Sequence, residues 1–325
     1  MQNKALSARQ SATVRIKSIV DALQGGGIYV ALLLVLIVAR FLSLAFYQSA
    51  NIQNVLRQAS ALGILSIGQT IVMIGGGIDL SVAATMQLAT ISIAELTHRG
   101  SPVALAIVVV LMLSSLVGLA NGLLVTRFKV PAFVATLFLG SVITGARLVY
   151  TRATPSGVLS PSIRVIGHDS TGPIPNAALV FLVLAILADI VLRRTTFGRK
   201  LFATGGNTRA AWLSGVSANR IRLITYVFSG LLAGIGGLVL AGYVGYADQW
   251  IGRGYDLDSV AAVVIGGTSF AGGRGSILGT VAGVLLVTVL LNLVLLLNLN
   301  VQWQLVVKGL VIIFAVGLYS FRRKV

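Results

Sequence analysis

The chain has 325 residues, 56% hydrophobic and 10% charged, with a mean hydropathy of +0.95 and a net charge of +17. So apolar a composition excludes an ordinary soluble core, and continuously apolar runs exclude a transmembrane β-barrel, whose strands alternate apolar and polar residues. Cysteine is absent, which excludes disulfides, thiolate metal sites and a cysteine nucleophile.

A basic, polar segment, residues 1–27, precedes the first apolar run. Apolar runs then follow at Ile28–Phe46, Val55–Gly75, Val82–Leu96, Val103–Val125, Ala132–Tyr150, Ala177–Leu192, Leu223–Tyr243, Ser259–Phe270, Ile277–Leu297 and Trp303–Tyr319. Roughly 20 apolar residues cross a bilayer, so the sequence predicts an all-α polytopic membrane protein of about ten spans. The first run is longer than the apolar core of a usual signal peptide and is read as an uncleaved span. A single transmembrane domain covers residues 28–320, and residues 321–325 form a tail.

The charge follows this topology, so nucleic acid is not an expected partner. With the N-terminus in the cytoplasm, only Arg99, Arg152, Arg164 and Arg253 fall in external loops, and Arg40, Arg57, Arg147 and Lys308 fall within spans. The remaining Lys and Arg residues face the cytoplasm. This is the positive-inside asymmetry, and it places both termini in the cytoplasm.

Two sets of five spans would enter the membrane from opposite faces, as inverted repeats require. The residues that suggest such a repeat are MIGGGIDLSVAATM and VIGGTSFAGGRGSILGTV. These segments also hold two breaks in the apolar pattern. Gly75, Gly76 and Gly77 lead into Asp79, Leu80 and Ser81; Gly266 and Gly267 precede Gly272 and Gly273. Each interior glycine costs a helix roughly 1 kcal/mol. The breaks read either as tight turns between spans or as discontinuous helices along a transport path, since irregular backbone survives at membrane depth where protein or a wet cavity surrounds it. Asp79 needs a partner there; it or Ser81 is placed to cap the helix that begins near Val82.

Other ionisable groups in or beside spans are Glu95, Asp189 and Lys308, a thin set for a proton relay. Asp256 and Asp258 stand in an external loop, where solvation is the default. His98 and His168 have no metal-ligand spacing. No phosphate-binding Gly-rich loop with its Lys-Ser/Thr occurs, so the chain itself holds no ATP by that route. Small residues recur at four-residue spacing, Gly230 with Gly234 and Gly275 with Gly279 and Gly283, which lets helix backbones approach closely.

The external connection Thr151–Pro175 carries four prolines. It reads as a solvated connector or as a short external helix or docking surface. The cytoplasmic loop Arg193–Arg222 is the longest polar stretch between spans. In it, Asn207 is placed to cap a short helix, Thr208–Ser214, which Gly215 ends. Arg209 lies on it, Ala210, Ala211 and Leu213 give it an apolar side, and Trp212 is a large anchor. Such a helix could rest on the lipid interface or insert into a groove of a cytoplasmic partner.

Four stretches carry a family resemblance: GGGIDLSVAA at Gly75–Ala84, VPAFVATL at Val130–Leu137, TFGRKLFATGGNTRAAWLSGV at Thr196–Val216, and AAVVIGGTSFAGGRGSILGT at Ala261–Thr280. The chain resembles the permease subunit of ABC importers of the ribose/simple-sugar class. Ala83 departs from that pattern, which has glycine there. The resemblance implies a pathway formed with a second permease subunit, identical or related. It implies that a cytoplasmic ATPase subunit binds the ATP, that an external sugar-binding protein delivers the substrate, and that no cofactor belongs to this chain. It implies residence in the inner membrane of a bacterium and no catalytic site. Asn207–Val216 matches the coupling helix that sits in a groove of the ATPase.

A monosaccharide path needs hydroxyl and amide groups to replace water. Candidates are Gln69, Thr70, Gln87, Asn121, Thr136, Ser141, Thr144 and Asn292; for each, a hydrogen bond between helices is the competing role. The competing function is an ion-coupled secondary sugar carrier.

Overall fold

A computed structural model describes residues 27–155, 157–300, 302–306 and 309–310. The basic N-terminal segment, Lys308, most of the run Trp303–Tyr319 and the tail lie outside the described residues. Twelve helices are named here in chain order. They are α1 (Gly27–Leu42), α2 (Ser49–Ile74), α3 (Val82–His98), α4 (Val103–Thr126), α5 (Ala132–Thr151), α6 (Pro161–Gly167), α7 (Asn176–Arg194), α8 (Thr196–Gly206), α9 (Thr208–Leu213), α10 (Ala218–Val244), α11 (Tyr255–Ile265) and α12 (Ile277–Leu296).

Among the described residues, six helices are long and apolar enough to cross a membrane: α2, α4, α5, α7, α10 and α12. The protein is an all-α multi-pass membrane protein in its main body. One departure is a two-stranded antiparallel pair, Ser170–Thr171 with Ile174–Pro175, after α6.

Helices α2, α10 and α12 are largely buried, whereas α4, α5 and α7 leave most of their apolar side chains exposed or half-buried. The core helices are thus enclosed by protein and the outer ones present side chains suited to lipid. At the centre, α10 packs on α2, α3, α4 and α6. Small residues make this approach feasible. A Cβ at Gly118 of α4 would collide with the Tyr226 carbonyl of α10, and one at Gly230 with the Ser114 carbonyl of α4. The Gly230–Gly234 pair is therefore a seam between helices of one chain. Gly279 and Gly283 serve α12 in the same way against Gly266 and Ala262.

The apolar run Ser259–Phe270 does not form one span. Its helix, α11, is 11 residues long and ends at Ile265. Gly266 then caps it, and Gly267 turns the chain at φ +91°. The chain treats the end of α2 alike. Gly76 N–H donates to Met73 O and Gly77 N–H to Val72 O, as Gly267 does to Val264 O and Thr268 to Val263 O. A left-handed residue at this step costs glycine nothing and other residues roughly 1–2 kcal/mol.

The long connection 151–175 is structured. Leu159 and Ile163 are buried, and Gly167 abuts α10 so closely that a Cβ would meet the Val239 carbonyl. Of the two readings of this segment, the short helix is present as α6. Across the bundle from it lie α8 and α9. The segment before α9 is itself helical: Thr195 Oγ1 accepts from Gly198 N–H at 3.3 Å and Leu201 is buried.

Candidate functional site: a capped helix, a glycine junction and a cavity

Helix α9 stands at one end of the bundle. Asn207 caps it, its Oδ1 accepting from Ala210 N–H at 2.9 Å. Gly215, at φ +77°, ends it while Val216 N–H donates to Ala211 O. The helix is one residue shorter than Thr208–Ser214. Only Ala211 is turned inward, at 4% exposure. Ala210 and Leu213 do not share its side; they point outward with Arg209 and Trp212. Trp212 is 69% and Leu213 72% exposed. Two large apolar side chains thus project from a short, capped helix.

Behind α9 the two Gly-rich breaks come together. Gly273 N–H donates to Ile74 O at 2.9 Å. Gly205, at the end of α8, lies so close that a Cβ would overlap the Ile74 carbonyl. Arg222 ties these pieces to α9. Its Nε donates to Gly75 O at 3.0 Å and its Nη2 to Thr208 Oγ1 at 2.8 Å. Because both breaks sit at the same end, they cannot be equivalents in an inverted repeat, whose two-fold axis would send them to opposite ends. The likeness between MIGGGIDLSVAATM and VIGGTSFAGGRGSILGTV thus reflects matching helix caps.

Asp79, Leu80 and Ser81 follow the first break. Ser81 occupies the N-cap of α3, but its side chain accepts nothing from the helix, and neither does that of Asp79. Asp79 is buried and receives four donors instead, the longest from Asn121 Nδ2 at 3.5 Å and three that are shorter. The three are Ser81 N–H at 3.0 Å and Ser81 Oγ at 2.7 Å on one oxygen, and Ser229 Oγ at 2.8 Å on the other. Asn121 Nδ2 donates to Ser81 Oγ at 2.7 Å. Thr136 Oγ1 accepts from Leu80 N–H at 3.1 Å. A buried carboxylate is costly unless hydrogen bonds replace its hydration. Here they lock the segment to α4, α5 and α10.

Beside this segment a cavity of about 440 Å³ runs along α5 toward the far end of the bundle. Gln87 of α3 and Ser141 and Thr144 of α5 line it, with Leu80, Ala83 and Gly140 near the break. Arg147, Gln249, Trp250, Arg253 and Asp256 line the remainder. Of the eight predicted path residues, Gln87, Ser141 and Thr144 therefore share one cavity. Four of the others hold helices together. Asn121 and Thr136 brace the Asp79 segment, Thr70 Oγ1 meets Thr280 Oγ1 at 2.6 Å, and Asn292 pairs with Asn51. Gln69 is buried in α2, and neither amide atom has a partner. Arg147, Trp250 and Asp256 were not among the expected path residues. The signal for Arg147 is the charge itself, inside an apolar span.

Glu95 is paired with Arg99 at 2.6 Å and Asp189 with Arg193 at 2.8 Å, both one helical turn on. With Asp79 enclosed by hydroxyl and amide groups, the described acidic residues of the spans form no continuous relay.

Residues 51–316 match the family described as branched-chain amino acid transport system / permease component. The chain belongs to this permease family. Among curated proteins it is similar to the ribose import permease protein RbsC of Bacillus subtilis (strain 168), 37% identical over 89% of this chain and 91% of that protein. It is similar to the probable ABC transporter permease protein YphD of Escherichia coli (strain K12), 37% identical over 97% of this chain and 93% of that one. The galactose/methyl galactoside import permease protein MglC of the same strain is 33% identical over 94% of this chain and 97% of its own length. No solved structure matches. The permease is a membrane component of a transport system and not its ATPase.

Proposed function

We propose that this permease forms the translocation pathway of an ATP-driven importer of a monosaccharide, a ribose-like sugar or a related polyol, in the inner membrane of a bacterium. The observation that carries this reading is the path from α9 to the cavity. An exposed Trp212 and Leu213 offer a knob to a soluble partner. Arg222 joins that helix to Gly75, and Leu80, five residues on, lines the cavity. Movement imposed on α9 thus has a short mechanical route to the pathway wall. The partner at α9 is a cytoplasmic ATPase that binds the ATP. A second permease, identical or related, completes the pathway, and an external binding protein delivers the sugar. Similarity to ribose and galactose import permeases supports the substrate class.

About ten spans, with both termini cytoplasmic, fit the distribution of Lys and Arg. Two five-helix inverted repeats have a better sequence basis than the paired breaks. Gly77-Ile78-Asp79-Leu80-Ser81-Val82-Ala83-Ala84 resembles Gly254-Tyr255-Asp256-Leu257-Asp258-Ser259-Val260-Ala261-Ala262. The first opens α3 at the α9 end; the second opens α11 at the opposite end. Opposite ends are what an in-plane two-fold axis demands.

Reconstitution tests the function. Proteoliposomes holding the permease with its ATPase and binding protein should take up the sugar only with ATP. Uptake by the permease alone, driven by an ion gradient, would instead establish a secondary carrier.

A further inference from the structure

We propose that the cavity between α3, α5 and residues 249–256 is a binding site for a neutral monosaccharide within the permease itself. In it Arg147 and Asp256 read sugar hydroxyls, and Trp250 supplies an apolar ring face. This rests on the reading of the chain as a sugar importer's permease. It adds that the permease selects its substrate, beyond any selection by the binding protein.

Arg147 carries the argument. It sits in α5, is 5% exposed, and lines the cavity. Its Nη1 donates to Gln249 O at 3.1 Å. Its Nε is buried without a partner. A guanidinium among apolar helices is expensive, and such a group marks a substrate path when it faces a cavity. Arginine holds its donors in a rigid planar fork, suited to two acceptor atoms at fixed spacing. Neighbouring hydroxyl oxygens of a sugar offer that spacing.

The rest of the wall supplies the complementary groups. Asp256 lies in the first turn of α11. An ionised carboxylate only accepts hydrogen bonds, and the helix N-terminus favours its charge. It can therefore take the protons of sugar hydroxyls. Ser141 Oγ and Thr144 Oγ1 donate back to Leu137 O and Gly140 O within α5, so each keeps an acceptor lone pair for the cavity. Trp250 is 59% exposed, and the Arg253 guanidinium lies 4.9 Å from its ring centroid. Arg253 keeps its charge on the indole, so the lining holds two cations, Arg147 and Arg253, against Asp256. Asp248, whose Oδ1 accepts from the Trp250 backbone N–H, sets a second carboxylate beside the wall and balances them. The site thus favours a neutral ligand. Its volume of about 440 Å³ lies in the range of small-molecule sites.

The test uses the permease assembled with its ATPase, solubilised without binding protein. D-Ribose, D-galactose, D-xylose and L-arabinose are titrated and followed by saturation-transfer NMR. One or more should bind saturably. Arg147→Lys, which keeps the charge but not the fork, and Asp256→Asn should each weaken that binding at least tenfold. Trp250→Ala, a change at an exposed side chain, should do the same if either of those variants fails to assemble. Wild-type affinity in all assembled variants would overturn the assignment, as would absence of binding by the wild type. Tighter binding of D-galacturonate than of D-galactose would overturn its neutral character. ATP-driven uptake by the full transporter separates the two readings. If the wild type transports none of the panel, the sugar-importer reading falls and takes this site with it. If transport is present but indifferent to all three changes, only this site falls.

Discussion

Arg222 holds Thr208, the first residue of α9, with one guanidinium nitrogen while its Nε holds the carbonyl of Gly75. One side chain thus spans α9 and the glycine junction. A charge-assisted hydrogen bond contributes about 1.5–3 kcal/mol, and two from one rigid fork resist relative sliding. Arg222→Lys keeps the charge but cannot hold both acceptors. It should leave ATPase association intact and cut sugar uptake per ATP hydrolysed by about tenfold or more, in line with the loss of one such bond. Parallel uptake and hydrolysis measurements in proteoliposomes check this; an unchanged ratio would show that the link carries no coupling.

Trp212 projects from a helix whose own fold does not need it. Trp212→Ala should therefore preserve thermal stability but weaken ATPase association by at least about 2 kcal/mol, roughly 30-fold, as expected of a buried aromatic anchor at an interface. Ala211→Asp should act differently. It buries a charge between α9 and the body of the permease, so it should loosen the helix itself. Titration of purified ATPase onto the permease in nanodiscs reads the first effect, and protease sensitivity of residues 207–216 the second. Wild-type affinity of the Trp212 variant would refute the knob.

Asp79 accepts from Ser81 and Ser229 at once. Asp79→Asn replaces one acceptor oxygen by a donor facing donors. Stability should fall by about 1.5–3 kcal/mol, the scale for breaking hydrogen bonds to a buried charge. Thermal unfolding in detergent measures it, and an unchanged midpoint would show that the cluster does not hold the segment.

Two glycines in spans should respond in opposite ways. Gly118→Leu drives a side chain into the Tyr226 backbone, and α4 and α10 must part; overpacking of this kind costs about 1–3 kcal/mol or more. Gly145 of α5 has open space around a would-be Cβ. Gly145→Ala should stabilise the isolated subunit by roughly 0.5–1 kcal/mol through helix propensity. The same thermal assay separates them; equal effects would contradict the packing described.

Much of this was legible in the residues because membrane spans are written as continuous apolar runs. The run Ala177–Leu192 became α7 with small shifts at its ends, and Asn207 and Gly215 marked α9 because capping is a local interaction. Other features depend on what lies across the bundle. The run Ser259–Phe270 looks like a span, yet the turn at Gly266 and Gly267 halts α11, since apolarity records burial and not helix continuity. Thr136 and Thr144 share α5 and the same chemistry. One supports Leu80 and the other, two turns further along the same side of α5, lines the cavity, a difference set only by how far along α5 the Asp79 segment reaches.

The sequence by itself determined that this is a polytopic helical membrane protein, how its charge is distributed, and where a capped helix leaves the membrane domain. These follow from hydropathy, composition and local hydrogen bonding. Tertiary structure alone decided that Arg222 joins Thr208 to Gly75, that both glycine breaks meet at one end, and that Arg147, Trp250 and Asp256 surround one cavity. Such relations join residues far apart in the chain, and packing, which no local pattern encodes, brings them together.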